Sequence, residues 1–222
     1  MQGNNNINTQ DEAYNEYWRV RKQITLESYV TLFLIMLNCF ILVACFFEGE
    51  ILYANGALVA DKVIQNKEIY RMITSLFLHA DLEHLFGNMI MLLFIGPPLE
   101  KVVGHLWFGL IYFGAGIAGN IFSIIYEKLS GGIWISYGAS GAVFGIVGAM
   151  GLIIFYNRKR LKQMGSSLPV RMLFMLIYAI YSGFTNTSVN NAAHIGGLFF
   201  GILIMLINVL LYRRNTKLEV YL

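Results

Sequence analysis

Long uncharged apolar stretches alternate with short charged segments along most of this chain. Five of them are long enough to cross a bilayer, and they are 28–47, 106–126, the apolar part 140–156 of a longer uncharged segment, 172–193 and 195–212. A helix of about 20 residues spans a hydrocarbon core of about 30 Å. A sixth stretch, 85–99, is shorter and is closed by Gly96-Pro97-Pro98. The pattern predicts an all-α integral membrane protein, a bundle of six transmembrane helices.

Composition separates this chain from soluble proteins. Apolar residues make up 57% and charged residues 13%, and the mean hydropathy is +0.59. Soluble domains usually contain about 45–50% apolar and about 25% charged residues. A chain with about half the usual share of charged residues cannot cover a globule of this size with polar surface. These values therefore exclude a soluble domain, a disordered tail and a nucleic-acid-binding protein. Cys39 and Cys45 lie in one apolar run, so the sequence contains neither a disulfide framework nor a cysteine cluster for a metal.

Basic residues concentrate on one side of the predicted bundle. Six spans place both termini, the 2–3 loop and the 4–5 loop on that side, which holds 12 of the 16 Lys and Arg residues: Arg19, Arg21, Lys22, Lys101, Arg158, Lys159, Arg160, Lys162, Arg171, Arg213, Arg214 and Lys217. The positive-inside rule assigns this side to the cytoplasm. We therefore expect cytoplasmic tails at 1–27, without a cleaved signal peptide and with a frayed start at 4–6, and at 213–222. Between them lies a core, 28–212, in a cell membrane.

One predicted loop is much longer than the others. Residues 48–83 lie on the outer side and contain many Leu, Ile and Tyr residues. Long loops in compact proteins are usually functional or disordered. The amphipathic composition predicts short helices that lie on the membrane surface.

A few polar residues interrupt the predicted spans, where they are costly and therefore candidates for function. They are His84 and Asn88 in span 2, Ser140 in span 4 and His194 in span 6, together with Asn38 and Asn120, which we interpret as structural. Spans 2, 4 and 6 all run from the outer side to the inner side, so their first residues share one depth. We expect the four candidates to converge in a shallow, outward-facing pocket.

The candidates supply the groups that acyl transfer requires. Ser140 and His194 are suited to be a nucleophile and its general base, while His84, Asn88 and the Ser140 N–H are suited to bind an oxyanion. Small residues, among them Gly141 on span 4 and Gly197 and Gly201 on span 6, let helices approach closely. Since spans 2 to 6 lack Asp and Glu, we expect a dyad rather than a triad. Taken singly, each residue also fits a packing or interfacial role, and only their joint placement favours catalysis.

Several short motifs follow one another in a characteristic order within residues 66–202. They are Tyr70-Arg71, His79-x4-His84-x3-Asn88, Gly96-x3-Glu100-Lys101, Gly138-Ala139-Ser140-Gly141 and Ala193-His194-x2-Gly197-x3-Gly201. Together they resemble the core of the rhomboid intramembrane serine proteases. The resemblance implies a six-helix fold, Ser140 as nucleophile, His194 as general base and an oxyanion pocket. It implies supporting roles for Gly138, Gly141, Phe144, Gly197, Gly201 and His79, and it implies neither a metal nor an organic cofactor.

The chain departs from the family pattern at two positions. Many members have Trp before the loop arginine and Tyr four residues after the nucleophile, where this chain has Tyr70 and Phe144. The Phe144 change keeps the ring and loses a hydroxyl, which affects the fine-tuning of His194 and not the dyad.

The sequence therefore favours an endopeptidase that cleaves transmembrane proteins near their outer ends. We expect loop 182–191 to act as a lid, with Phe184 shielding the site, and span 5 to act as a lateral gate. A catalytically silent rhomboid relative that binds and escorts membrane proteins is the main alternative, although such relatives usually lack the Ser or the His. A small transporter is a second alternative, but the polar residues cluster at one face. The minimal form suggests a prokaryotic protein, and the sequence assigns no oligomeric state.

Overall fold

The structure, a computed structural model, describes residues 3–163, 169–170, 172–174, 176–177, 181 and 190–211. In this part of the chain the α-helices are α1 (Gly3–Glu27), α2 (Tyr29–Gly56), α3 (Ala60–Ile64), α4 (Arg71–Thr74), α5 (Leu82–Val103), α6 (His105–Ser130), α7 (Ser140–Gln163) and α8 (Asn191–Leu211). A 3₁₀ turn (Ser75–Phe77) and two short strands, β1 (Leu58–Val59) and β2 (Ile135–Ser136), lie between these helices. Residues 169–170, 172–174, 176–177 and 181 are also helical.

Among the described residues, 5 helices are long and apolar enough to cross a membrane, namely α2, α5, α6, α7 and α8. They correspond to the predicted spans 1, 2, 3, 4 and 6. Much of the predicted fifth span, and with it the proposed gate, lies outside the described residues. The helical membrane architecture is therefore confirmed, and the count of six helices stays a prediction.

The second span is longer than its proline pair suggested. We expected Gly96-Pro97-Pro98 to close it, and this is wrong: α5 continues through both prolines to Val103. Proline removes a backbone donor inside a helix, but neighbouring helices in a membrane bundle satisfy the freed groups. Gly104, with φ of +84°, ends the helix instead.

The amino-terminal region also differs from expectation. Residues 4–6 were expected to fray, which is wrong, because the backbone is helical from Gly3 to Glu27. Helix-forming residues and local pairs support α1, including an ion pair of 2.8 Å between Arg19 and Glu16. The first span also extends past its expected end, with a kink at Glu48, to Gly56.

Glu100 joins the start of α2 to the end of α5. Its buried carboxylate accepts hydrogen bonds from the backbone N–H groups of Val30 (2.9 Å) and Thr31 (2.8 Å) and from the Thr31 hydroxyl (2.6 Å). These backbone N–H groups have no partner within their own helix. The negative carboxylate is also stabilised by the positive end of the α2 helix dipole. Glu100 therefore fixes the crossing of α2 and α5.

The long first loop is anchored by one buried arginine. Arg71 is 1% exposed, and its guanidinium donates to the Ala57 carbonyl (2.7 Å), the Ala54 carbonyl (2.9 Å) and the Glu68 carboxylate (2.6 Å). The loop contains α3, α4 and the 3₁₀ turn, and β1 pairs antiparallel with β2, which precedes α7. The loop is thereby held beside the start of α7; its position on the membrane surface stays a prediction.

Helices α6, α7 and α8 pack through small residues. A Cβ added at Gly197 would lie 1.9 Å from the Gly141 carbonyl oxygen, and one at Gly201 would lie 1.9 Å from the Gly145 carbonyl oxygen. Between α6 and α7, a Cβ at Gly145 would lie 2.1 Å from the Ala115 Cβ. No side chain fits at these crossings. The glycine faces expected on spans 4 and 6 therefore meet, and they set the distance between the two helices.

Candidate active site

Ser140 is the first residue of α7, and Gly138 shapes the turn before it. The φ of Gly138 is +134°, and a Cβ there would lie 2.8 Å from His84 Cε1 and 3.8 Å from Ser140 Oγ. Only glycine combines this backbone conformation with this lack of space. The imidazole of His84 and the hydroxyl of Ser140 thus lie on the borders of one small volume.

The turn before Ser140 is tied to the first loop. The Gly138 N–H donates to the Ser75 carbonyl at 2.8 Å. The Asn120 amide in turn donates to the Ser75 hydroxyl and to the Met72 carbonyl, each at 2.9 Å. Asn120 therefore has the structural role that we expected, since it holds the 3₁₀ turn against which the Ser140 segment rests.

His194 lies in the first turn of α8, with its ring against α7. The rings of His194 and Phe144 are parallel within 8°, and their centroids are 4.1 Å apart. Phe144 follows Ser140 by one helical turn, so both project from the same side of α7. Among the described residues no hydrogen bond joins Ser140 Oγ to His194. In unliganded sites such bonds are often long and tighten only when substrate binds.

Helix α5 contributes His84 and Asn88, which are one turn apart. Asp81 caps this helix, because its carboxylate accepts from the His84 backbone N–H at 2.7 Å. Asn88 is 6% exposed, and its Nδ2 has no hydrogen-bond partner within residues 11–163 and 190–211. An unpaired buried donor costs about 1–3 kcal/mol. The oxyanion role expected for Asn88 stays a prediction.

His79 contacts His84 through its ring and Tyr53 through its backbone carbonyl. The ring is fully buried and meets the His84 ring edge to face, with centroids 5.2 Å apart. Burial, with a smaller effect from His84, lowers the pKa of His79 to about 4, so the ring is neutral at pH 7. We expected His79 to brace the loop by hydrogen bonding. The bracing group is its carbonyl, which accepts from the Tyr53 hydroxyl, since neither ring nitrogen makes a hydrogen bond of standard geometry with the described residues.

The structure therefore brings together His79, His84, Gly138 and Ser140 on one side, and Gly141, Phe144, His194 and Gly197 on the other. Gly201 lies one turn further along α8, against Gly145. Of the expected lid, residues 182–189, including Phe184, lie outside the described residues. Sequence reasoning missed Asn190, which caps α8. An asparagine directly before a predicted helix is the signal that identifies such a cap.

Comparison with known proteins supports what this geometry suggests. The family model described as the Rhomboid domain matches residues 66–210. This chain belongs to the rhomboid family. As a rhomboid with several apolar helices, it is a multi-pass membrane protein. The matched segment contains every candidate site residue.

Three relatives show the extent of the likeness. YdcA of Bacillus subtilis, named as a candidate rhomboid protease, is 33% identical over 141 residues, which are 64% of this chain and 68% of YdcA. RHOMBOID-like protein 6, mitochondrial, of Arabidopsis thaliana is 40% identical over 147 residues, 66% of this chain and 46% of that protein. Rhomboid protease GluP of Bacillus subtilis is 35% identical over 153 residues, 68% of this chain and 28% of GluP. This rhomboid thus matches less than half the length of the last two.

Proposed function

We propose that this rhomboid is an intramembrane serine endopeptidase that hydrolyses peptide bonds of transmembrane proteins. The observation that carries the proposal is the convergence of three elements on Ser140. His84 of α5 borders the Gly138 turn next to the Ser140 hydroxyl, and His194 of α8 is stacked on Phe144, one turn after Ser140 on α7. Relatives named as rhomboid proteases support the same activity.

Ser140 and His194 form the catalytic dyad in this proposal. As Ser140 Oγ bonds to the substrate carbonyl carbon, His194 accepts the hydroxyl proton as general base. His194 then returns that proton to the leaving amine as the peptide C–N bond breaks, which leaves an acyl-enzyme. In the second half, His194 accepts a proton from water as the water oxygen attacks the ester. The Ser140–acyl bond then breaks, and Ser140 recovers its proton.

Three donors stabilise the oxyanion in this proposal. The Ser140 N–H, at the first residue of α7, has no partner within its own helix. The Asn88 Nδ2 is buried without a partner in the described structure, and the His84 ring borders the same turn. Donors that are aimed in advance at developing charge are usually the largest single contribution to such catalysis.

The substrates in this proposal are transmembrane helices that enter the site from the bilayer. A helical peptide bond is shielded by its own hydrogen bonds, so the substrate segment must unwind locally to reach Ser140. The basic residues at the end of α7, Arg158, Lys159, Arg160 and Lys162, favour a cytoplasmic location for that end. Ser140, at the opposite end, then lies near the extracytoplasmic face of a cell membrane.

Labelling by a fluorophosphonate probe, together with cleavage of a generic transmembrane substrate in detergent, tests the proposal. We expect the wild type to be labelled and active, and Ser140→Ala and His194→Ala to be neither. Ser130→Ala is the matched control, because this exposed hydroxyl donates to the Tyr126 and Glu127 carbonyls of its own helix, α6, which carries neither dyad residue. Cleavage by Ser140→Ala at the wild-type rate would exclude the dyad. Binding of the substrate without any cleavage by the wild type would favour an escort protein.

A further inference from the structure

One amide side chain connects three elements around the proposed dyad. Asn190 directly precedes α8, and its Oδ1 accepts from the Ala193 N–H at 3.0 Å. Its Nδ2 donates to the Ser123 hydroxyl of α6 at 2.5 Å and to the Ser136 hydroxyl of β2 at 2.8 Å. All the hydrogen-bonding groups of this amide are therefore in use, since asparagine offers one oxygen acceptor and two N–H donors.

The hydrogen bond between Asn190 and Ser136 joins two residues that lie the same number of positions before the two proposed dyad residues. Ser136 precedes Ser140 by four residues, and Asn190 precedes His194 by four. The Asn190 carbonyl also accepts from the His194 backbone N–H at 3.2 Å. In sequence Ser140 and His194 are far apart, but through Asn190 the segment before one is joined directly to the helical turn that carries the other.

The packing of α7 against α8 does not by itself fix the position of the segment that precedes Ser140. Close packing of Gly141 against Gly197 fixes the distance between the helix axes. The turn at Gly138, however, lies before α7 begins, outside that helix–helix contact. A hydrogen bond to Ser75 connects this turn to the first loop, and the hydrogen bond from Asn190 to Ser136 connects the residues just before it to the end of α8 that carries His194.

We propose that Asn190 is a positioning residue, which sets the separation of Ser140 and His194 by bonding the Ser136 segment to the start of α8. The inference rests on the proposed function. A nucleophile and its base work within hydrogen-bonding reach of about 2.6–3.2 Å, and a displacement of about 1 Å costs about 10²-fold in rate. A rigid link between the two segments therefore acts on the chemical step and not on the affinity for substrate.

Three substitutions at one position separate this role from a simple helix cap. Asn190→Ala removes the cap and both links. Asn190→Ser keeps a capping oxygen but is too short to reach Ser123 and Ser136. Asn190→Asp keeps the cap, and its second oxygen can accept from the two serine hydroxyls, so the links persist with donor and acceptor exchanged.

We expect Asn190→Ser to lower kcat by about 10- to 100-fold, with KM unchanged within about twofold. Both variants keep the cap, so the melting temperature of Asn190→Ser should fall below that of Asn190→Asp by no more than Ser123→Ala lowers it, while Asn190→Asp retains most of the wild-type kcat. A helix cap alone predicts the opposite, namely that Asn190→Ser and Asn190→Asp share the wild-type kcat. That result would overturn the inference.

A second pair of variants keeps the test decisive if position 190 proves sensitive to folding. Ser136→Ala should lower kcat as Asn190→Ser does, and the double variant should be no slower than Asn190→Ser alone, since both changes break the same link between Asn190 and Ser136. Ser123→Ala should mainly lower the melting temperature, because α6 does not carry either dyad residue. Losses that multiply in the double variant would contradict the proposed link.

Two controls distinguish a failure of this inference from a failure of the proposed function. Asn66→Ala removes an exposed amide of the first loop, which donates to the Glu68 carboxylate at 3.4 Å and makes no hydrogen bond to the described residues around Ser140, so kcat should be unchanged. If Ser140→Ala still cleaves substrate, the dyad itself is wrong. If Ser140→Ala is inactive while Asn190→Ser is fully active, the dyad stands and the role of Asn190 is wrong.

Discussion

At the scale of single residues, the imidazole of His194 is oriented by an aromatic ring. Phe144 lies flat against it with centroids 4.1 Å apart, and such pairs contribute about 0.5–1.5 kcal/mol beyond their burial. The flat contact restricts rotation of the imidazole about its own bonds. The hydroxyl that many rhomboids carry at this position is absent here, but the stacking surface is complete without it.

We predict that Phe144→Leu lowers kcat about two- to tenfold, since it removes about 0.5–1.5 kcal/mol of stacking from the group that must face Ser140. Phe144→Tyr keeps the ring and should stay near the wild-type rate. Steady-state cleavage of a transmembrane substrate in detergent measures both. Full activity of Phe144→Leu at an unchanged melting temperature would show that other contacts orient His194.

Asn88 provides a second test at this scale. If its amide serves the oxyanion, Asn88→Ala should lower kcat by about 10²–10³-fold with KM little changed, as for the loss of one oxyanion donor elsewhere. The melting temperature should hardly fall, because the Nδ2 that is removed has no partner in the described structure. Ser140 should still react with a fluorophosphonate. A lower melting temperature with full activity would instead identify Asn88 as a packing residue.

At the scale of helices, the site depends on how closely α7 and α8 approach. Their contact is made of backbone and glycine, with the Gly141 and Gly145 carbonyls lying where side chains at Gly197 and Gly201 would begin. Small residues at a crossing allow dispersion contacts between backbones in the absence of a hydrophobic driving force. The same contact brings the helical turn that carries His194 next to the turn that begins with Ser140.

We predict that Gly197→Ala greatly lowers activity and thermal stability, because its methyl group would lie 1.9 Å from a backbone oxygen that cannot move alone. Gly151→Ala on α7 is the matched control, since nothing lies within 4 Å of the added carbon. Inside a helix, alanine is more favourable than glycine by about 1 kcal/mol, so Gly151→Ala should be neutral or slightly stabilising. Thermal unfolding in detergent measures both, and equal melting temperatures would contradict the close crossing.

The sequence predicted those parts of the molecule that local pattern determines. Hydropathy located the described spans, and glycine spacing on spans 4 and 6 indicated their contact. The end of α5 was missed because two prolines are strong local signals, whereas the surrounding bundle satisfies the backbone that they disrupt. The pairing of β1 with β2 and the links from Asn190 to Ser123 and Ser136 join residues distant in the chain, and no local pattern encodes such partners.

At the scale of the whole molecule, the first loop and Ser140 share one end of the bundle. The pairing of Leu58 with Ser136 holds the loop beside the segment that leads into α7. Lys159 lies 19 residues after Ser140 on α7, which corresponds to about 28 Å along a helix. This distance is close to the thickness of a hydrocarbon core, so we predict that the loop and the basic end of α7 face opposite sides of the membrane.

We predict that the first loop faces the extracytoplasmic side and that Lys159 faces the cytoplasm, because 12 of the 16 basic residues fall on the Lys159 side of the predicted topology. In a background with Cys39 and Cys45 replaced by alanine, Gln65→Cys should react with a membrane-impermeant maleimide in intact cells. Lys159→Cys should react only after the membrane is permeabilised, although both positions are exposed in the structure. The reverse pattern would place Ser140 near the cytoplasmic face, and proteolysis would then act on the inner ends of substrate helices.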